Sequence, residues 1–179
     1  MKPETSEATS RERADILDAL TVHRLLLRLT VRNLTDQQAA SHPTVSALSL
    51  GGIIKHVTSV ELSWVDFIVN GPAAMSHDFD EMKSEAGAAQ RLTRFQMLPG
   101  ETLADLLEHY EEVARRTDDL IATLPDLDTS HSMPEALWFP KGARWSTRRV
   151  LLHIIAETTQ HAGHADIIRE SIDGSKSMG

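Results

Sequence analysis

The chain contains no cysteine. That excludes a disulfide framework, a thiolate metal site and a cysteine nucleophile, so any thiol chemistry must use a thiol that a substrate or cofactor brings. Positive charge is in the minority. Lys and Arg number 18 against 26 Asp and Glu, for a net charge of −8 and a pI near 5.5. Nucleic-acid binders need a basic face to meet phosphates, which argues against that class, and an acidic excess mostly serves solubility. No apolar run approaches a membrane span, and the N-terminal MKPETSEATSRERAD lacks the apolar core of a signal peptide. A cytoplasmic protein without a membrane partner is expected. Strand-like alternation, internal repeats, low-complexity tracts and phosphate-cradling glycine loops are lacking too. Gly51-Gly52 is too short a signal for a nucleotide site.

What the chain does have is helical periodicity. Its 179 residues fit one domain with a real core. After a polar tail over residues 1–8, Thr9 and Glu12 have capping-box spacing, and Leu17, Leu20, Leu27, Val31 and Leu34 repeat as a helical face. Arg24 lies within that stripe. Its stem can pack while its head reaches water, or it can contact an anion near the functional site. A short turn capped by Thr35 is expected to stop before His42-Pro43, with His42 an exposed loop residue. The second helix starts after Ser49 or Leu50 and ends at Asn70-Gly71-Pro72, with Ile53, His56, Val60, Trp64 and Phe67 on one face. The third is capped by Thr102 and stopped by Pro125, with Leu103, Leu106, Tyr110, Val113, Thr117, Leu120 and Leu124 as its stripe.

Two connections are long. Between Ala73 and Gly100 the sequence is polar and acidic. There His77 with Asp78 and Asp80 could suggest a second metal site, although a solvated acidic run is the commoner meaning of such a stretch. Asp126 to Trp145 carries Trp138, Phe139 and Trp145, which either cover the end of a bundle or wall a substrate pocket.

The remaining stretch, Ser146 to Gly174, reads as one long helix and concentrates the unusual chemistry. Positions three and four apart share a face, so Val150, His153, Ile154, Glu157, His161, His164, Ile168 and Ile172 form one stripe. Aliphatic residues at both ends mark it as core-facing, where unpaired charge costs several kcal/mol. A divalent metal would compensate the imidazoles and carboxylate directly. Glu157 and His161 have the i, i+4 spacing to share one ion, and His56 on the second helix completes a three-ligand set. Two imidazoles and a carboxylate suit zinc or nickel, and also iron or manganese. Four amphipathic helices joined by two long connections define an all-α bundle over residues 9–174, followed by a tail over 175–179.

The stretches SLGGIIKHVTSVELSW and RRVLLHIIAETTQHAGHADIIRESIDG resemble the two signature segments of the DinB-like superfamily, in particular its mini-circle branch. The resemblance runs from about Arg11 to Gly174 and implies a DinB-like four-helix bundle. It implies a metal held by His56, Glu157 and His161, as in the related mycothiol-dependent maleylpyruvate isomerases. His153 and His164 are not carried over as ligands. Either could orient a ligand or move a proton, and His164 could be a fourth ligand. Homodimers are common in the superfamily.

Three ligands leave a coordination position open, as catalytic zinc sites do. Relatives of known activity use it for a small thiol such as mycothiol. The first expectation is therefore a thiol-dependent S-transferase or isomerase acting on a small electrophilic substrate, with His164 or Arg24 handling proton or charge. Metal-dependent hydrolysis, using water whose pKa zinc lowers from ~16 to ~7, is the second. The third is a non-catalytic, metal-stabilised stress or binding protein.

Overall fold

The computed structural model describes residues 4–75, 93–134 and 139–177, residues 4–10 as backbone. Four long helices make a bundle: α1 (Glu4–Leu29), then, after the short α2 (Asp36–Ala40), α3 (Leu50–Asn70), α4 (Leu103–Thr123) and α5 (Thr147–Asp173). Local chemistry sets their ends. Thr35, Ser49, Thr102 and Ser146 each accept a backbone N–H as N-cap, and Thr35 with Gln38 forms a full capping box. Gly174 closes α5 in the left-handed conformation, φ 76°, which a Cβ disfavours. All-α architecture with long connections holds as expected.

Two details depart from expectation. α1 begins at Glu4 rather than near Thr9 and stops at Leu29, giving way to turns that end at Asn33 with φ 62°. Residues 4–8 (Glu, Thr, Ser, Glu, Ala) include no proline or glycine to break a helix ahead of Thr9. The second long connection also contains an antiparallel hairpin, β1 (Ser130–Ser132) with β2 (Arg144–Ser146), pairing Ser130 with Ser146 and Ser132 with Arg144. Three-residue strands are too short for any alternation to register. His77, Asp78, Asp80 and Trp138 lie outside the described residues.

Side-chain bridges give the directions. Arg148 at the start of α5 meets Glu12 on α1, and Arg169 near its end donates to Thr30 O and Arg32 O at 2.9 and 2.8 Å, so α1 and α5 run parallel. Lys55 with Glu101 and Asp66 with Arg116 make α3 and α4 parallel as well. His56 opposite His161 and Trp64 opposite His153 make α3 and α5 antiparallel. Parallel neighbours cannot be joined by a tight turn, so Asn70 and Leu103 require a long connection between them. That is why the first connection is long.

The core has two apolar clusters. One, towards the hairpin, contains Ile16, Leu20, Trp64, Phe67, Ile121, Leu151 and Ile154. The other contains Leu27, Leu50, Ile53, Ile54, Val57, Tyr110, Ala165 and Ile168. At ~1.5–3 kcal/mol for each large side chain removed from water, these clusters drive the association of the helices. Between them, by position along each helix, lies a buried polar layer of Arg24, Thr58, Glu61, Thr117, Thr158 and His161. Among the described residues no helix is long and apolar enough to cross a membrane.

Candidate metal centre

Helical spacing and antiparallel packing converge at the level of the polar layer. On α5, His153, Glu157 and His161 follow one another at one-turn intervals, and α3 presents His56 opposite them. One ligand atom from each of His56, Glu157 and His161 lies within 4.8 Å of the others. The rings of His56 and His161 are 4.8 Å apart, and His161 Nε2 stands 3.6 Å from Glu157 Oε2. An ion at ~2.1 Å from each donor would hold them about 3–3.5 Å apart, so small side-chain rotations would close the set around one cation.

The electrostatics suit a cation. Burial pushes the His56 imidazole down to about 4, reinforced by His161 and Arg94 and opposed by Glu157, so at neutral pH it is in its ligating form. Glu157 is held below the ordinary carboxylate range, first by hydrogen bonding with His161 and then, against the opposing effect of burial, by His153, His161 and His56. His161 Nδ1 is buried without a hydrogen-bond partner. Two imidazole nitrogens and one carboxylate oxygen, close together at the edge of a core, fit a divalent metal of the zinc type. The side chain of Glu157 keeps 27 % exposure, which leaves one side of the cluster open to a small molecule.

Two walls flank that opening. Phe95 stacks on His56 at 4.0 Å and lies 5.9 Å from His161. Nothing about Phe95 itself marks it in the sequence. It is placed by Gly51-Gly52, because a Cβ on Gly52 would stand 1.9 Å from Phe95 O and one on Gly51 would stand 2.8 Å from Met97 Sδ. The glycine pair is thus a backbone-approach signal. Ser49, whose N–H and hydroxyl both donate to Phe95 O at 3.4 Å, ties the segment down. On the other side Trp145 stacks on Trp64 at 5.0 Å, and both meet His153 edge-on at 5.1 and 4.9 Å. Trp145 thus reaches His153, one turn from Glu157, while it packs with Phe139 against the apolar core towards the hairpin.

The other expected site residues are placed differently. His164 is half-buried with its ring 5.4 Å from His161 and its Nδ1 unpartnered. Arg24 is buried rather than snorkelling. It binds Glu61 through Nη2 and Nε and Asp118 through Nη1 at 2.8 Å, so its guanidinium is engaged within the bundle.

A trio of this order, one histidine on the third described helix and a glutamate and histidine one turn apart on the last, set in an antiparallel helix pair, could hold a metal ion, and the bundle that carries it has the DinB-like fold. Residues 15–174 match the family model described as Mycothiol-S-transferase, and the chain belongs to that family. No curated protein compared with the chain matches it.

Proposed function

We propose that the protein transfers the thiol sulfur of mycothiol, or of a closely similar small thiol, to an electrophilic carbon. The observation that carries this reading is the half-open His56, Glu157 and His161 cluster in a chain of the mycothiol-S-transferase family. A divalent cation held by those residues would supply Lewis acidity, making a thiol available as thiolate at neutral pH.

His56 contributes a neutral nitrogen and His161 a second imidazole, and Glu157 contributes negative charge that offsets part of the cation's. Phe95 and Trp145 exclude water from two sides of the reacting atoms, strengthening each charge interaction between them. His164, half-buried one turn from His161, takes the thiol proton. Arg24 acts only at a distance, through the Glu61 carboxylate that it neutralises. The step balances without an oxidant: the S–H proton leaves to His164, a C–S bond forms, and a C–halogen or comparable bond breaks with departure of the leaving group.

The test is thioether formation from mycothiol and a haloalkyl probe by zinc-loaded protein, beside His161→Ala. Acceleration over solution that is lost in the variant, with the helical circular dichroism retained, supports the proposal. No acceleration by the fully loaded protein sinks it. Thiol-independent ester hydrolysis under the same conditions would favour the hydrolytic alternative.

A further inference from the structure

The carboxylate of Glu157 is flanked by an imidazole on each side along α5, four residues before and four after. Its two oxygens are divided between them. Oε2 faces His161 Nε2 at 3.6 Å, whereas Oε1 faces His153 Nε2 at 3.7 Å. His153 does not belong to the group whose donor atoms converge on one point. Its ring is fixed from elsewhere, wedged edge-on against the stacked pair Trp64 and Trp145, with interplanar angles of 83° and 73°. Trp145 is in turn packed by Phe139 at 5.4 Å and covered by the Arg149 guanidinium at 4.1 Å from its ring centre. An imidazole this firmly held, with a nitrogen 3.7 Å from the Glu157 oxygen that does not face His161, is placed for more than packing.

From this we infer that His153 is the positioning residue of the metal centre: when the cluster draws together around an ion, its Nε2–H closes from 3.7 Å onto Glu157 Oε1 and keeps that oxygen from the ion, so that Glu157 ligates through Oε2 alone. The consequence concerns the open position. A glutamate free to rotate can offer both oxygens and occupy two coordination places, closing the place that a substrate sulfur needs. Held by one oxygen, it keeps the three-ligand, open arrangement typical of catalytic zinc sites. Outer partners of this kind typically change metal affinity 10–100-fold when removed. The Trp64–Trp145 pair then has a function in the site as well, because it fixes the ring that fixes the carboxylate.

The inference rests on the metal reading above, and its test is designed to fail separately from it. Metal-free wild type, His153→Gln and His153→Leu are titrated with zinc against a competing chelator, and their cobalt-loaded forms are compared by visible absorption. Wild type should bind one ion per chain. His153→Leu should bind one ion with affinity lowered about 10–100-fold and a weaker absorption, reporting higher coordination number. His153→Gln, whose amide N–H can still donate to Oε1, should recover most of both. Thermal melts of the metal-free forms monitor packing against the tryptophans. If His153→Leu keeps wild-type affinity and spectrum, or if the glutamine variant is as impaired as the leucine one, the positioning role is overturned while the metal reading stands. Wild type that takes up no ion overturns both. Wild type that binds the ion but shows no sulfur transfer overturns only the proposed reaction.

Discussion

Two groups of ionisable side chains lie at the same level of the bundle, and only one is complete by itself. Around Glu61, fully buried on α3, every charge has a partner: Arg24 binds it through two nitrogens, Thr117 donates to Oε1 at 2.6 Å, and Asp118 takes the remaining arm of Arg24 at 2.8 Å. The same carboxylate, with burial, raises the Tyr110 phenol above its usual range. Around Glu157 the groups approach but do not close, at 3.6 to 4.8 Å, and buried nitrogens are left without partners. Burial of charge therefore does not mark a functional site. What sets the second group apart is that two imidazoles and a carboxylate converge there without closing on one another, an arrangement that a cation would complete.

The largest effect should come from opening the closed group. Glu61→Leu leaves Arg24 buried without its main counter-charge and should cost ~3–5 kcal/mol in denaturant unfolding. Its folded fraction should still bind one metal. His161→Ala should show the opposite pattern, with metal binding lost and the stability of the metal-free protein changed far less. If the two variants lose metal and stability together, the groups form one unit and the distinction fails.

A smaller effect separates the backbone that shapes the site from the residues that fill it. Gly52→Ala puts a methyl group 1.9 Å from Phe95 O, a rigid backbone atom, so residues 93–97 must move and take Phe95 off His56. A loss of about 2–3 kcal/mol in thermal or chemical unfolding is expected, with weakened metal affinity. Gly51→Ala meets only the flexible Met97 side chain and should cost less. Equal costs for the two would show that the approach of the segment to α3 does not matter.

Such differences explain what could be read in the chain beforehand. Ser49, Thr102, Ser146 and Gly174 announce helix ends because capping is chemistry between near neighbours. Glu157 and His161 announce a candidate metal site because one helical turn brings them together whatever the rest of the chain does. Glu61 gave no such signal, since its partner Arg24 is supplied by tertiary packing of α1. Phe95 was hidden for a related reason: its position depends on two glycines more than forty residues earlier and on a backbone contact that no periodicity encodes. The hairpin escaped because Ser130–Ser132 and Arg144–Ser146 are held by their pairing rather than by any pattern of their own.

The smallest effect is the dependence on pH, and it too should distinguish the open group. In the folded metal-free protein His56 titrates at about 4, against an ordinary 6.5. The unfolded chain therefore takes up a proton between these values that the folded chain resists, so stability should fall as pH is lowered from 6.5 towards 4 and should not depend on His56 above that window. Partial exposure of the ring reduces the effect to about 1–2 kcal/mol. Glu157, whose folded carboxyl is depressed, adds loss in the same direction but only below its ordinary 4.5. Urea unfolding of metal-free protein at a series of pH values measures the slope, and His56→Gln should flatten it between 6.5 and 4. An undiminished slope in that variant would place the acid sensitivity elsewhere and remove the claim that His56 is kept neutral for a metal.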